Sequence, residues 1–205
     1  MVVKFKDIPV YYLNPDFFEE RKKQMDVFLE ELGMKYERSP SNSGHAIRQN
    51  RINEGFTNLV IRAMEKDEYP FLILEDDARL IKPLPEYVDV PPEAMFIYYG
   101  CSLYECGYPK QPLRIEEYNQ QYYRLYNSLG CHAILVINQE AAEFFIKKQL
   151  EASDNNEYSD IHLAVSTNDC LFLTPKDGPY FYQNDAHTEP ITRFLWENVK
   201  QNYLK

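Results

Sequence analysis

The segment Tyr69-Pro70-Phe71-Leu72-Ile73-Leu74-Glu75-Asp76-Asp77-Ala78 limits what this chain can fold into more than any other. A short, wholly apolar run ends in three consecutive acids. An apolar run without alternation is the mark of a strand covered on both faces, as parallel strands in α/β proteins are. The three carboxylates are then forced together at the strand's end. Like charges that close raise each other's pKa unless a cation settles among them. Oxygen ligands of this kind suit Mg²⁺ or Mn²⁺, ions that commonly also hold a substrate's phosphates. A solvated acidic turn is the plainer alternative, but such turns seldom follow an apolar strand with no turn residue between.

The flanking pattern predicts the setting of that strand. Ile8 to Leu13 reads as a first strand. Asn14 followed by Pro15 has the order of an N-cap and first helical residue, so a helix is expected from Pro15 to Leu32. Phe18, Met25, Phe28, Leu29 and Leu32 would share its apolar face, and Gly33 would stop it. Met34 to Arg38 returns as a strand, and Ser39 to Gly44 forms a polar loop at its end. A second helix is expected within Ala46 to Lys66. Strand, helix, strand, helix, strand implies parallel pairing through right-handed crossovers. Ligands of such sheets lie beyond the carboxyl ends of the strands. Asn14, Ser39 to Gly44 and Glu75 to Asp77 all fall there.

The second half is less regular. Strands are expected at Met95 to Tyr99, Tyr122 to Tyr126, His132 to Ile137, Asp169 to Leu173 and Tyr180 to Gln183. Leu103 to Gln121 reads as a loop over the site. Asn138 can cap a helix reaching Leu150, and Ser159 to Ser166 suits a short helix. Glu189 to Leu204 reads as a closing helix.

The chain has 205 residues, which suits one domain with a sizeable core. A formal charge of −10 argues against a nucleic-acid groove. No run of about 18 apolar residues is present, and the first residues lack a signal peptide's apolar segment, so a cytoplasmic location is expected. Cys101, Cys106, Cys131 and Cys170 show no zinc spacing and read as free thiols. The 17 Tyr and 12 Phe could stack on sugars, although an aromatic core explains them as well.

Several polar residues are candidates beside the acids. Arg48 and Arg51 begin the second helix near the same sheet edge, where an Arg fork could meet phosphate or simply face solvent. Arg21, within the first helix, could reach a nucleotide or pair with neighbouring acids. Of His45, His132, His162 and His187, each alone is more often a surface or core residue than a ligand; His187 lies in a polar loop after a late aromatic strand. Asp160 could serve as a general base toward an acceptor hydroxyl, or could cap the helix that starts at Ser159. Asp185 and Glu189 are its rivals.

The opening Val10-Tyr11-Tyr12-Leu13-Asn14 with Arg21 downstream resembles the start of glycosyltransferase family 25, the lipopolysaccharide and collagen galactosyltransferases. Leu74-Glu75-Asp76-Asp77 is similar to that family's acidic motif, Gly130-Cys131-His132-Ala133 to its Gly-x-x-Ala segment, and Tyr158 to Leu163 to its later Asp-bearing segment. Gln183-Asn184 resembles its C-terminal part. The helix before the acidic strand departs from the pattern, lacking the family's Gly-Cys and Ser-His pairs around Gly55 to Val60. A compact capsid-modifying glycosyltransferase of the large algal viruses is a related resemblance.

The resemblance implies a single-domain GT-A fold over residues 1–205, a Rossmann-type mixed sheet flanked by helices. Residues 1–80 would bind a nucleotide sugar, most simply a UDP-sugar, and 81–205 a glycan or glycoprotein acceptor, around Tyr99 to Ser102, Gly130 to His132 and Asp160. Leu13, Asn14, Arg21, Ser39, Arg48, Glu75 and Asp76 fall to the donor. Asp77 and His187 fall to a Mn²⁺ or Mg²⁺ ion, and Asp160 with Asp77 to catalysis. A nucleotidyl- or phosphotransferase would use the same acidic strand end, and a silent carbohydrate-binding module would need none of it.

Overall fold

The computed structural model describes residues 1–40, 44, 46–105, 113–183 and 204, without the side chains of 101–105 and 129–132. The expected βαβαβ half is present. Strand β2 (Val10–Leu13), helix α1 (Glu19–Glu31), strand β3 (Tyr36–Ser39), helix α2 (Arg48–Glu65) and strand β4 (Phe71–Glu75) follow in order. β2 lies between β3 and β4 and is parallel to both.

The apolar run of β4 divides by residue parity, as a pleated strand covered on both faces must. Phe71 and Ile73 pack with Tyr11, Leu13 and the α2 residues Phe56, Leu59, Val60 and Ala63. Leu72 and Leu74 pack with Val10, Tyr12 and the α1 residues Met25 and Leu29. Full burial of such a side chain contributes roughly 1.5–3 kcal/mol. Four in a row outweigh the repulsion of the acids that follow, so the core fixes where the carboxylates stand.

Beyond β4 the sheet becomes mixed. Strand β10 (Ser128–Val136) lies antiparallel between β4 and the long β7 (Phe96–Glu105). Beyond β7 come β11 (Phe172–Pro175), β9 (Tyr122–Tyr126) and β8 (Arg114–Glu117), giving the eight-stranded order β3-β2-β4-β10-β7-β11-β9-β8. Helix α3 (Gln139–Asn155) starts at Asn138, whose side chain accepts the Ala141 N–H at 2.9 Å. α3 and helix α4 (Ser159–Ser166) cover the same face as α2 through Ala141, Ala142, Phe145 and Leu163. Two short ribbons complete the fold. One pairs β1 (Val2–Lys4) with β6 (Tyr87–Asp89); the other pairs β5 (Ala78–Leu80) with β12 (Phe181–Gln183).

Three expectations need correction. α1 begins at Glu19, not Pro15, and Asn14 is not its cap, because the Asn14 amide is drawn into the site described below. Leu103 to Gln121 is not one loop: β7 runs on to Glu105, and β8 pairs with β9. Tyr99, expected near an acceptor, is buried in the α1-side layer with its ring edge-on to Phe5 at 5.1 Å. The expected closing helix lies outside the described residues except for Leu204, which bridges to Ile115. Cys170 is a free thiol. No helix among the described residues is long and apolar enough to cross a membrane.

Candidate active site

A cleft of about 380 Å³ opens at the carboxyl ends of β2 and β4. Leu13 and Glu75 to Asp77 enter it from those strand ends, Phe18 and Arg21 from the approach to α1 and its first turn. Arg48, Ile52 and Phe56 line it from α2. The rest of the lining comes from the second half of the chain: Ile134 of β10, Phe145 of α3, Tyr158 to Asp160 and Leu163 at α4, and Gln183 of β12. Most of the residues singled out from sequence therefore meet in one place.

The two aspartates are almost fully buried, at 6% exposure each, but they are held differently. Asp76 is saturated. Its Oδ2 accepts from Asn14 Nδ2 at 2.6 Å and its Oδ1 from Arg21 Nη1 at 3.1 Å. Asn14 is itself fixed by Arg38, which donates from Nε to its side-chain oxygen (3.0 Å) and from Nη2 to its carbonyl (2.9 Å). Asp77 Oδ2 receives the same Arg21 nitrogen at 3.3 Å, but its buried Oδ1 has no hydrogen-bond partner among the described residues. Such an orphaned oxygen costs about 1–3 kcal/mol or more for a charged group unless something binds it. Glu75 Oε2 accepts from Gln183 Nε2 at 3.0 Å.

The field in the cleft is strongly negative. Burial, reinforced by Asp77, Asp160 and Asp76, pushes the Glu75 carboxyl up to about 8. Burial and then Asp76 also raise Asp77, with Arg21, the Asp77 amide and Gln183 opposing. Glu75 thus holds its proton when folded and releases it near 4.5 when unfolded. The stability this supplies is complete below the unfolded value and lost as pH rises through about 8. Raising the pH of the ligand-free protein from 5 to 8.5 should cost on the order of 2–4 kcal/mol through this group. Glu75→Gln should remove most of that loss. Urea unfolding of both proteins at the two pH values checks it, and equal losses would show that Glu75 ionises normally.

The remaining candidates separate cleanly. Arg48 lines the cleft, whereas Arg51 donates to the Ala46 carbonyl at 3.2 Å at the start of its own helix. Ser39 does not line the cleft. Its carbonyl accepts the Asn14 N–H, and its buried hydroxyl has no partner among the described residues. Asp160 lines the cleft from the first turn of α4, where its Oδ1 also accepts the Ile161 N–H at 2.9 Å. His162 points to Glu157, 2.8 Å away, and is structural. His45, Asp185, His187 and Glu189 lie outside the described residues, as does the side chain of His132. Sequence reasoning missed Arg38 and Gln183. It also missed Phe18 as a site residue, whose ring lies 4.9 Å from the Arg21 guanidinium.

Among the described residues, no three His, Cys, Asp or Glu side chains converge to enclose a metal on their own. One or two carboxylates suffice where substrate phosphates complete the shell. The orphaned Asp77 oxygen, in a cleft also lined by Arg21 and Arg48, fits that arrangement.

No family model and no curated protein sequence matches the chain. Among solved structures it is similar to a glycosyltransferase involved in the glycosylation of the major capsid of PBCV-1. That likeness has a TM-score of 0.58 at 12% identity, covering 94% of this chain and 100% of the other. A looser likeness is to the nucleoside-diphosphate-sugar pyrophosphorylase from Vibrio cholerae RC9, with a TM-score of 0.43 at 7% identity, over 83% of this chain and 73% of that one. The first likeness spans the whole architecture, so the chain has a glycosyltransferase-like α/β fold built as a single domain.

Proposed function

We propose that the protein is a metal-dependent glycosyltransferase that moves a sugar from a nucleotide-sugar donor, most simply a UDP-sugar, to a glycan or glycoprotein acceptor. One observation carries this reading. At the carboxyl ends of β2 and β4, an aspartate with both oxygens engaged stands beside one with an unpartnered oxygen, in a cleft also lined by Arg21, Arg48 and Asp160. Kinship with glycosyltransferase family 25 rests on the motif residues alone.

In this reading residues 1–80 bind the donor. Leu13 and Asn14 shape the strand end, Asn14 by fixing Asp76. Glu75 and Asp76 face the nucleotide, and Arg21 and Arg48 meet the diphosphate. Ser39 supports Asn14 by accepting its backbone N–H. Asp77 would hold Mn²⁺ or Mg²⁺, with His187 as the proposed second ligand. A divalent ion there would neutralise the charge that develops on the leaving diphosphate. Asp160, on the wall supplied by residues 81–205, takes the proton from the acceptor hydroxyl as it attacks the sugar carbon.

A thermal-shift panel of nucleoside diphosphates, nucleotide sugars and free sugars, each with and without Mn²⁺, tests this. A ligand that binds only the folded state raises its apparent stability. The account predicts a rise with a nucleotide sugar that needs Mn²⁺ and shrinks in His187→Ala. An unchanged rise in that variant would remove His187 from the metal. A rise with free sugars alone would make the protein a binding module.

A further inference from the structure

One guanidinium nitrogen of Arg21 serves two carboxylates, at 3.1 Å to Asp76 and 3.3 Å to Asp77. The two contacts are not equivalent. Asp76 cannot turn away, because Asn14 holds its other oxygen and Arg38 holds Asn14. The other oxygen of Asp77 has no partner among the described residues. Arg21 is also the exposed member of the group, with 37% of its side chain open against 8% for each aspartate. Its guanidinium lies 4.9 Å from the Phe18 ring, and both side chains line the cleft. A divalent ion on Asp77 would meet the Arg21 charge at contact range, and like charges in a partly buried site repel strongly. A diphosphate relieves that conflict, because its oxygens accept both the ion and the guanidinium fork.

We propose that Arg21 is an exchangeable counter-ion that keeps a lone divalent cation off Asp77 in the ligand-free protein. It keeps Asp76 but leaves Asp77 for the diphosphate when metal and nucleotide arrive together. This rests on the nucleotide-sugar reading above and adds to it a coupling: metal and nucleotide each strengthen the binding of the other, and Arg21 is the element that couples them.

The test is Mn²⁺ affinity, read by electron paramagnetic resonance of free Mn²⁺, with and without UDP. Arg21→Met keeps the stem against Phe18 and removes the charge. It should bind Mn²⁺ alone about tenfold tighter than wild type. The factor by which UDP tightens Mn²⁺ should fall by about as much. Arg21→Lys should restore the wild-type order. Lys22→Met removes the same charge one residue away, where it pairs with Asp26 at 2.6 Å, and should change neither value. No gain for Arg21→Met, or an equal gain for Lys22→Met, overturns the exchange. Should Arg21→Met fail to fold, the Arg21 Nε–H resonance of the wild type must shift when Mg²⁺ and UDP are added together, and a static signal overturns it. Wild type without metal-dependent UDP binding would defeat the nucleotide-sugar reading itself. Wild type with such binding, but no gain in the variant, defeats only the exchange.

Discussion

Asp160→Asn should leave nucleotide-sugar affinity unchanged and slow sugar transfer by about 10²-fold or more. The substitution is informative because Asp160 has two roles to separate. Its carboxylate accepts the Ile161 N–H in the first turn of α4, and it lines the same cleft as the acidic strand end. A negative group at a helix N-terminus contributes roughly 0.3–1 kcal/mol. Asparagine keeps an oxygen for the Ile161 amide and keeps the size, but it cannot take a proton. Loss of the helix contribution alone would therefore show in stability, not in turnover. Donor affinity should hold, since the groups assigned to the donor come from β2, α1, α2 and β4. Kinetics with a working acceptor decide the matter. Unchanged turnover would reduce Asp160 to a helix-end anchor and favour a retaining mechanism, which needs no such base.

The parts of the fold governed by local pattern could be read from sequence. The unbroken apolar run of β4 signals cover on both faces, and Phe71/Ile73 and Leu72/Leu74 supply it on opposite layers. Asn138 caps α3 as its position suggests, because its bonding partner is three residues away. Asn14 has the same local signature and does something else. Its partners, Asp76 and Arg38, lie 62 and 24 residues away. A buried amide bonded to a charged carboxylate contributes more than a helix cap does, so the tertiary demand prevails. Neighbour order in the sheet was hidden for the same reason. Nothing local in Ser128–Val136 says that it runs antiparallel beside β4, yet this placement brings Ile134 into the cleft. Gln183 reaches Glu75 only through the β5–β12 ribbon, in which it pairs with Ala78. Convergence of Asn14 and the acids was legible because strand ends in a βαβαβ unit share one edge, whereas Asp160, on α4, lies outside that unit.

The assignment of Asp77 to the metal carries the largest expected effect. Asp77→Asn removes one charge without changing volume, at a site where burial and Asp76 already disfavour that charge. Stability of the ligand-free fold at neutral pH should thus stay within about 1 kcal/mol of wild type, the lost Arg21 pairing being offset by relieved repulsion from Asp76. Metal-dependent nucleotide binding should fall by 10²-fold or more, since a neutral amide is a poor ligand for a hard cation. Glu75→Gln should lose much less, because Glu75 holds its proton and is already engaged by Gln183. The decisive measurement is calorimetric titration of UDP into wild type and Asp77→Asn, each with and without Mn²⁺. The account predicts tight binding only for wild type with Mn²⁺. Equal affinity of the two proteins for UDP in the presence of Mn²⁺ would contradict it.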